Sequence, residues 1–401
     1  MHRILPTRCN LDAPHRSLRS DPVAGGVIAR VAFLALLIAG CGRHGFSEEG
    51  VFSAIPISED SAVVGCTLDI RSDGPDSYAV MWHEYPAPDS DRHSVMFARL
   101  STAGQVIAGP EVVETIEGRV RKMWLHLGET GGYQGFYRHS ASGDLRAVSL
   151  DQDGRLKTVD DLFYVTDEAV LVRDDVGFSL FYEDGEHLHH GTISASGEML
   201  SAPVDYDLPV GRDESGNDVL ESPRAISTET GIHLVFEHSW GSQVGYARLD
   251  HSGNFIEGHL QDFGAHYGPS IADDGAGNMI MAWYDDDQLT EFALNKTGDP
   301  VWGGVRQEVA LNRQESPTMS MVGGNGRIAM VWESDADTIL PQIMFRDVGL
   351  EVSQVNEPEP IGTPGYAHSC PRIARGENHF GIAFRTEIDG EHRLFVGIRH
   401  D

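Results

Sequence analysis

The sequence predicts an all-β chain, a single β-propeller of seven four-stranded blades with its ring closed by the N-terminal strand, because three markers recur in one phase. The first marker is an aromatic residue near the end of a short apolar strand. It falls at Trp82, Phe136, Phe181, Phe236, Trp283, Trp332 and Phe384, with successive spacings of 54, 45, 55, 47, 49 and 52 residues. The second is a glycine turn that follows, at Gly104, Gly154, Gly197, Gly253, Gly298 and Gly349. The third is a proline that precedes it, at Pro223, Pro269, Pro317 and Pro371. A β-sandwich also turns at short intervals, but sandwiches do not usually repeat one marker set seven times.

The clearest copy runs from Tyr267 to Arg306. Pro269 to Ala272 reads as a short strand and Asp273 to Asn278 as a turn of residues that tolerate positive φ. Met279 to Tyr284 is the second strand, Gln288 to Leu294 the third, and Val301 to Val309 the fourth, beyond the Gly298 turn. Other copies are less regular. Glu114 to Leu127 opens the second without a proline, and Asp205 to Val219 inserts polar residues before the fourth. With Pro86 to Ser94 and Asp335 to Thr338, that insertion is a candidate binding loop, since insertions on one face of a repeat ring are often its binding face.

Residues 1–40 differ in kind. Arginines at 3, 8, 16, 19 and 30 precede the apolar run Val31 to Ile38, which ends in Ala39-Gly40-Cys41, the pattern of an export signal. Ile38 to Cys41 resembles the bacterial lipobox, with isoleucine where leucine is usual. That resemblance implies cleavage before Cys41 and acylation of its thiol and new amino group; the alternative is an ordinary cleaved signal with a chance cysteine. Residues 41–50 are small and polar like a tether, and 51–401 form the propeller. The last repeat supplies only three strands, Pro371 to Ala374, Phe380 to Arg385 and Leu394 to Arg399, so the alternating Val51 to Ser58 is expected to add the fourth and protect the open edge.

Cys9 leaves with the signal and Cys41 is assigned to lipid, leaving Cys66 and Cys370 at the starts of the innermost strands of the first and last repeats. Those repeats are neighbours in a ring, and an exported protein can keep a disulfide. Two buried free cysteines are the alternative.

The formal charge is −31, and lysine occurs only at 122, 157 and 296. Without residues 1–40, which carry five Arg and two acidic residues, the 30 basic and 61 acidic residues become 25 and 59, a charge of −34. Nucleic acid is therefore not an expected partner.

Three clusters could bear chemistry. His187, His189 and His190 include an alternating pair suited to a transition metal but show no third ligand. Asp285 to Asp287 offers oxygens without the order of a calcium loop, and Asp151 to Gly154 reads as a solvated turn. Asn295 to Trp302 resembles the docking motif of quinoprotein propellers, one residue short, and the Asp box of sialidases, without the aspartate; in both families the motif is structural. No catalytic residue, metal or cofactor is assigned.

Over residues 51–401 the chain resembles the uncharacterised propeller-repeat lipoproteins of bacterial cell surfaces. That resemblance implies attachment to the membrane through lipid, at the outer membrane or cell surface, with no agreed activity. Two functions stay open: a surface-anchored binding or scaffold protein for a glycan, peptide or protein ligand, and an extracellular carbohydrate-active hydrolase or lyase. Acidic and aromatic side chains converging from at least three blades would favour the second.

Overall fold

The computed structural model describes residues 52–400 except 59–61, 88–89, 129–130, 167–168, 175, 184–187, 207–220, 239–242, 263–265, 286–287, 309–317, 335–339, 349–356 and 363–364. Among these residues the strands form seven antiparallel sheets of four strands each. Blade 1, for example, runs Val63–Gly74, Ser77–Tyr85, Arg92–Ser101 and Val106–Glu117, each strand paired to the next. The first strands of successive blades touch in order around a closed circuit, that of blade 7 returning to that of blade 1. Seven blades thus form a ring.

Closure follows the sequence expectation. Ser53–Pro56 pairs with Glu391–His400, from Ser53 opposite Ile398 to Pro56 opposite Phe395, and completes the sheet of Ala367–Arg375 and His379–Ile388. Cys66 and Cys370 form a disulfide between the inner strands of blades 1 and 7, with Cα atoms 5.3 Å apart.

The core is distributed over the seams. Seven buried apolar clusters each join two neighbouring blades, and all seven marker aromatics are fully buried in them. Their phase needs one correction. Trp82, Phe236, Trp283, Trp332 and Phe384 face the preceding blade, whereas Phe136 and Phe181 face the following one. Tyr137 and Tyr182, one residue on, take the equivalent places. Side chains alternate faces along a strand, so a slip of one residue moves a side chain from one seam to the next.

The other markers have physical causes. Pro223, Pro269 and Pro371 sit at register shifts of the inner strands, where a residue without an N–H is tolerated. Gly154 and Gly298 have φ of 83° and 84°. A Cβ on Gly154 would meet the Phe97 ring of blade 1 at 2.0 Å, and one on Gly298 the Tyr246 hydroxyl of blade 4 at 2.3 Å. These turns therefore need glycine for backbone conformation and for the close approach of the preceding blade.

Candidate functional site

A cavity of about 320 Å³ lies where the inner strands of all seven blades converge. Strand alternation builds its wall. In blade 1, Leu68 and Ile70 are buried in the seam, while Thr67, Asp69 and Arg71 line the cavity. In blade 2, Leu125 is buried in the seam and Lys122 and Trp124 line the cavity, with Arg121 beside them. Blades 4 and 7 contribute Arg224 and Arg372, each directly after a marker proline.

Among the described lining residues, five are cationic (Arg71, Arg121, Lys122, Arg224 and Arg372) and one, Asp69, is acidic, a net of +4 in a chain of −31. Asp69 is structurally committed. One carboxylate oxygen accepts the Ile70 N–H at 2.9 Å, and the other accepts the Leu125 N–H of blade 2 at 2.9 Å and lies 3.2 Å from the Arg71 guanidinium. Arg71 Nε in turn donates to the Leu125 carbonyl at 2.8 Å. Arg224 and Arg372 each donate Nη1 to the carbonyl of the proline before them, both at 2.8 Å. Burial pushes the Arg372 pKa down and the Arg71 charge adds to that; Asp69 and Glu333 oppose it.

A second cavity of about 390 Å³ opens at the seam of blades 6 and 7 and includes Glu333, His368, Ser369, Arg385, Glu387 and His392. Several of its polar groups are bonded locally. Glu333 accepts from the Cys370 N–H and the Thr318 hydroxyl, His368 Nδ1 meets the Thr386 hydroxyl at 2.9 Å, and Arg385 Nε donates to Ser369 Oγ at 2.9 Å.

Among the described residues, none of the clusters chosen from sequence lines either cavity. His187 lies outside the described residues. His189 stacks on Tyr182 at 4.8 Å, with Nδ1 3.4 Å from Asp205, and His190 is buried against Phe181 at 4.6 Å. Among the described residues no group of three or more His, Cys, Asp or Glu side chains could hold a metal ion. Asp285 ends a strand, and Asp286 and Asp287 lie outside the described residues. Asp151 accepts the N–H groups of Asp153 and Arg155, and Asn295 those of Thr297 and Asp299, so both stretches are the same Asx turn that joins the third and fourth strands of a blade. Cys41, the proposed tether, the insertion from residue 207 and the loop 335–339 lie outside the described residues.

No family model and no curated relative matches the chain. Among solved structures it is similar to the Dos1 propeller at 9% identity, over 86% of this chain and 93% of that one, with a TM-score of 0.48. It is also similar to AofleA from Arthrobotrys oligospora at 9% identity, over 79% and 90%, with a TM-score of 0.45. A third likeness is to the SapL1 lectin, solved in complex with alpha methyl fucoside, at 12% identity over 75% and 98%, with a TM-score of 0.47. At these identities and scores the likenesses say nothing of ligand or activity.

Proposed function

We propose that this chain is an exported, lipid-anchored β-propeller that binds a ligand in its central cavity rather than turning one over. One observation carries the preference for binding: the cavity gathered from all seven blades has a single described carboxylate, Asp69, whose two oxygens are already bonded to backbone N–H groups. Glycoside hydrolysis generally uses a pair of carboxylates flanking the scissile bond. A concave site with a few fixed polar groups suits recognition. Export is supported by the arginine-rich apolar segment ending at Cys41 and by the Cys66–Cys370 disulfide, a bond that persists in oxidising compartments.

The full-length chain, purified in detergent, should retain ligand on a glycan and small-molecule array and should leave a panel of chromogenic glycosides intact. Turnover by the pure protein would overturn the binding reading. The anchor is tested separately: Cys41→Ser should leave the membrane fraction while remaining folded. Sedimentation of that variant with membranes after a high-salt wash, or wild type without acyl mass on Cys41, would remove the lipid assignment.

A further inference from the structure

We infer that the Cys66–Cys370 disulfide is a thiol-exchange site, attacked at Cys66 from the central cavity by a small thiol while the ring stays folded. The two cysteines are unequally accessible. Cys66 is exposed and lines the cavity, whereas Cys370 is 2% exposed and belongs to the buried cluster of the closing seam. Exchange begins at the sulfur a thiolate can reach, so access selects Cys66.

The backbone around the bond is irregular on both sides. The pairing of Val63–Gly74 shifts register between Val64 and Leu68, and that of Ala367–Arg375 between Ser369 and Arg372, so neither cysteine has a cross-strand partner in its own sheet. Cys370 also has a φ of 58°, in the left-handed region that a residue with a Cβ rarely adopts. Such a conformation persists only where its surroundings hold it, and positions of this kind gather at functional sites. Here the disulfide and the hydrogen bond from the Cys370 N–H to Glu333 hold it. Cleavage removes the first and lets the bulge relax, which favours the opened form.

The seam keeps its other contacts when the bond is cut. Ser53–Pro56 stays paired with Glu391–His400, the Ile57 N–H donates to the Leu394 carbonyl at 2.9 Å, and the Leu394 N–H donates to Ser58 Oγ at 3.0 Å. Tyr78, Trp82 and Val396 remain in the apolar cluster that spans the seam. Reduction is therefore a change within the folded protein. Thr67 and Arg372 line the cavity one and two residues beyond the cysteines, so the state of the bond bears directly on the cavity wall.

The exchange balances with a thiol as the reductant. A thiolate attacks the Cys66 sulfur, and a bond from the reagent to Cys66 forms as the Cys66–Cys370 bond breaks. The electron pair leaves on the Cys370 sulfur, which takes a proton from water. A second thiolate then attacks the reagent's sulfur in the mixed disulfide and releases Cys66 as a thiolate, protonated in turn. Two thiols are oxidised to one disulfide, and the protein disulfide gains two electrons.

The test uses the full-length chain in detergent, with dithiothreitol as the thiol, N-ethylmaleimide as the trap and peptide mass spectrometry to read each cysteine separately. Without reductant Cys66 and Cys370 should be linked, and finding both alkylated at that stage would overturn the inference. With dithiothreitol and no denaturant both should become alkylated, at a rate that holds within about twofold as guanidinium is raised to just below the unfolding transition. A rate that climbs with the unfolded fraction, or a bond that survives until the protein unfolds, would place the attack after unfolding and overturn the inference. Single variants identify the sulfur attacked. The Cys66 thiol of folded Cys370→Ser should be alkylated at least about tenfold faster than the Cys370 thiol of folded Cys66→Ser. Equal rates in the two folded variants would overturn Cys66 as the point of entry. Where either variant fails to fold, the wild-type rate profile alone decides.

Discussion

The seam between blades 7 and 1 and the seam between blades 5 and 6 perform the same task with different bonds. At the first, the Cys66–Cys370 disulfide crosses between inner strands, and the Tyr78 hydroxyl meets His379 Nδ1 at 2.7 Å. At the second, Glu291 and Arg346 face each other at 2.6 Å with side chains only 1% exposed. The difference follows from chain separation. The cysteines are 304 residues apart, whereas Glu291 and Arg346 are 55 apart, and closing the longer loop costs about 1.5 kcal/mol more. The seam that closes the ring opposes the larger entropy loss, and it is the one with a covalent link.

Breaking that link is the strongest test of the comparison. The loop-entropy model assigns a bond across 304 residues up to about 5 to 6 kcal/mol. Cys66→Ser should lower the unfolding free energy obtained from guanidinium titration by a large fraction of that amount, and wild type in reductant should fall to the same value. Unchanged wild-type unfolding in reductant would show that the disulfide contributes nothing to closure.

Much of this ring is legible in sequence because its constraints are local and repeated. A glycine at positive φ under a neighbouring blade, a proline at an inner-strand bulge and a buried aromatic each leave one letter at a fixed phase. The Asx turn left a further one, an Asp, Asn or Ser three residues before the glycine at Ser101, Asp151, Ser194, Asp250 and Asn295. What could not be read from apolar character alone is the face on which an aromatic sits: Phe136 and Tyr137 are adjacent and both aromatic, and only strand register sends them to different seams. The cavity was hidden more completely. Its cations come from residues as far apart as Arg71 and Arg372, within a chain whose overall charge is −31. The signal available was small: an arginine directly after the marker proline at Pro223-Arg224 and again at Pro371-Arg372, and one of only three lysines on an inner strand.

The seam of blades 5 and 6 should be the more sensitive to pH. Burial pushes the Glu291 carboxyl up to about 7 from an ordinary 4.5, although Arg346 pulls in the other direction. A raised folded-state pKa favours the protonated form in the fold. Its stabilising contribution is therefore complete below about 4.5 and is lost as pH rises through about 7. Between those values wild type should lose stability relative to Glu291→Gln, and parallel pH profiles would contradict this. Arg346→Met, which strands a buried carboxylate, should cost about 3 to 5 kcal/mol near neutral pH. Adding Glu291→Leu should recover most of it, because two apolar residues replace two desolvated charges.

The smallest effect sharpens the comparison by removing only the polar contact at the closing seam. His379 Nε2 lies 2.9 Å from the Pro75 carbonyl, which can only accept, so Nε2 carries the proton and Nδ1 accepts from the Tyr78 hydroxyl. Tyr78→Phe keeps the ring in the core beside Trp82 and Val396 but leaves Nδ1 without this donor. The expected cost is about 1 to 2 kcal/mol, that of one hydrogen bond plus part of the desolvation of the buried nitrogen. Measured in the Cys66→Ser background as well, the cost should be the same if disulfide and hydrogen bond act independently. A smaller cost there would mean that the covalent link holds Tyr78 against His379, and the two contacts would count as one device.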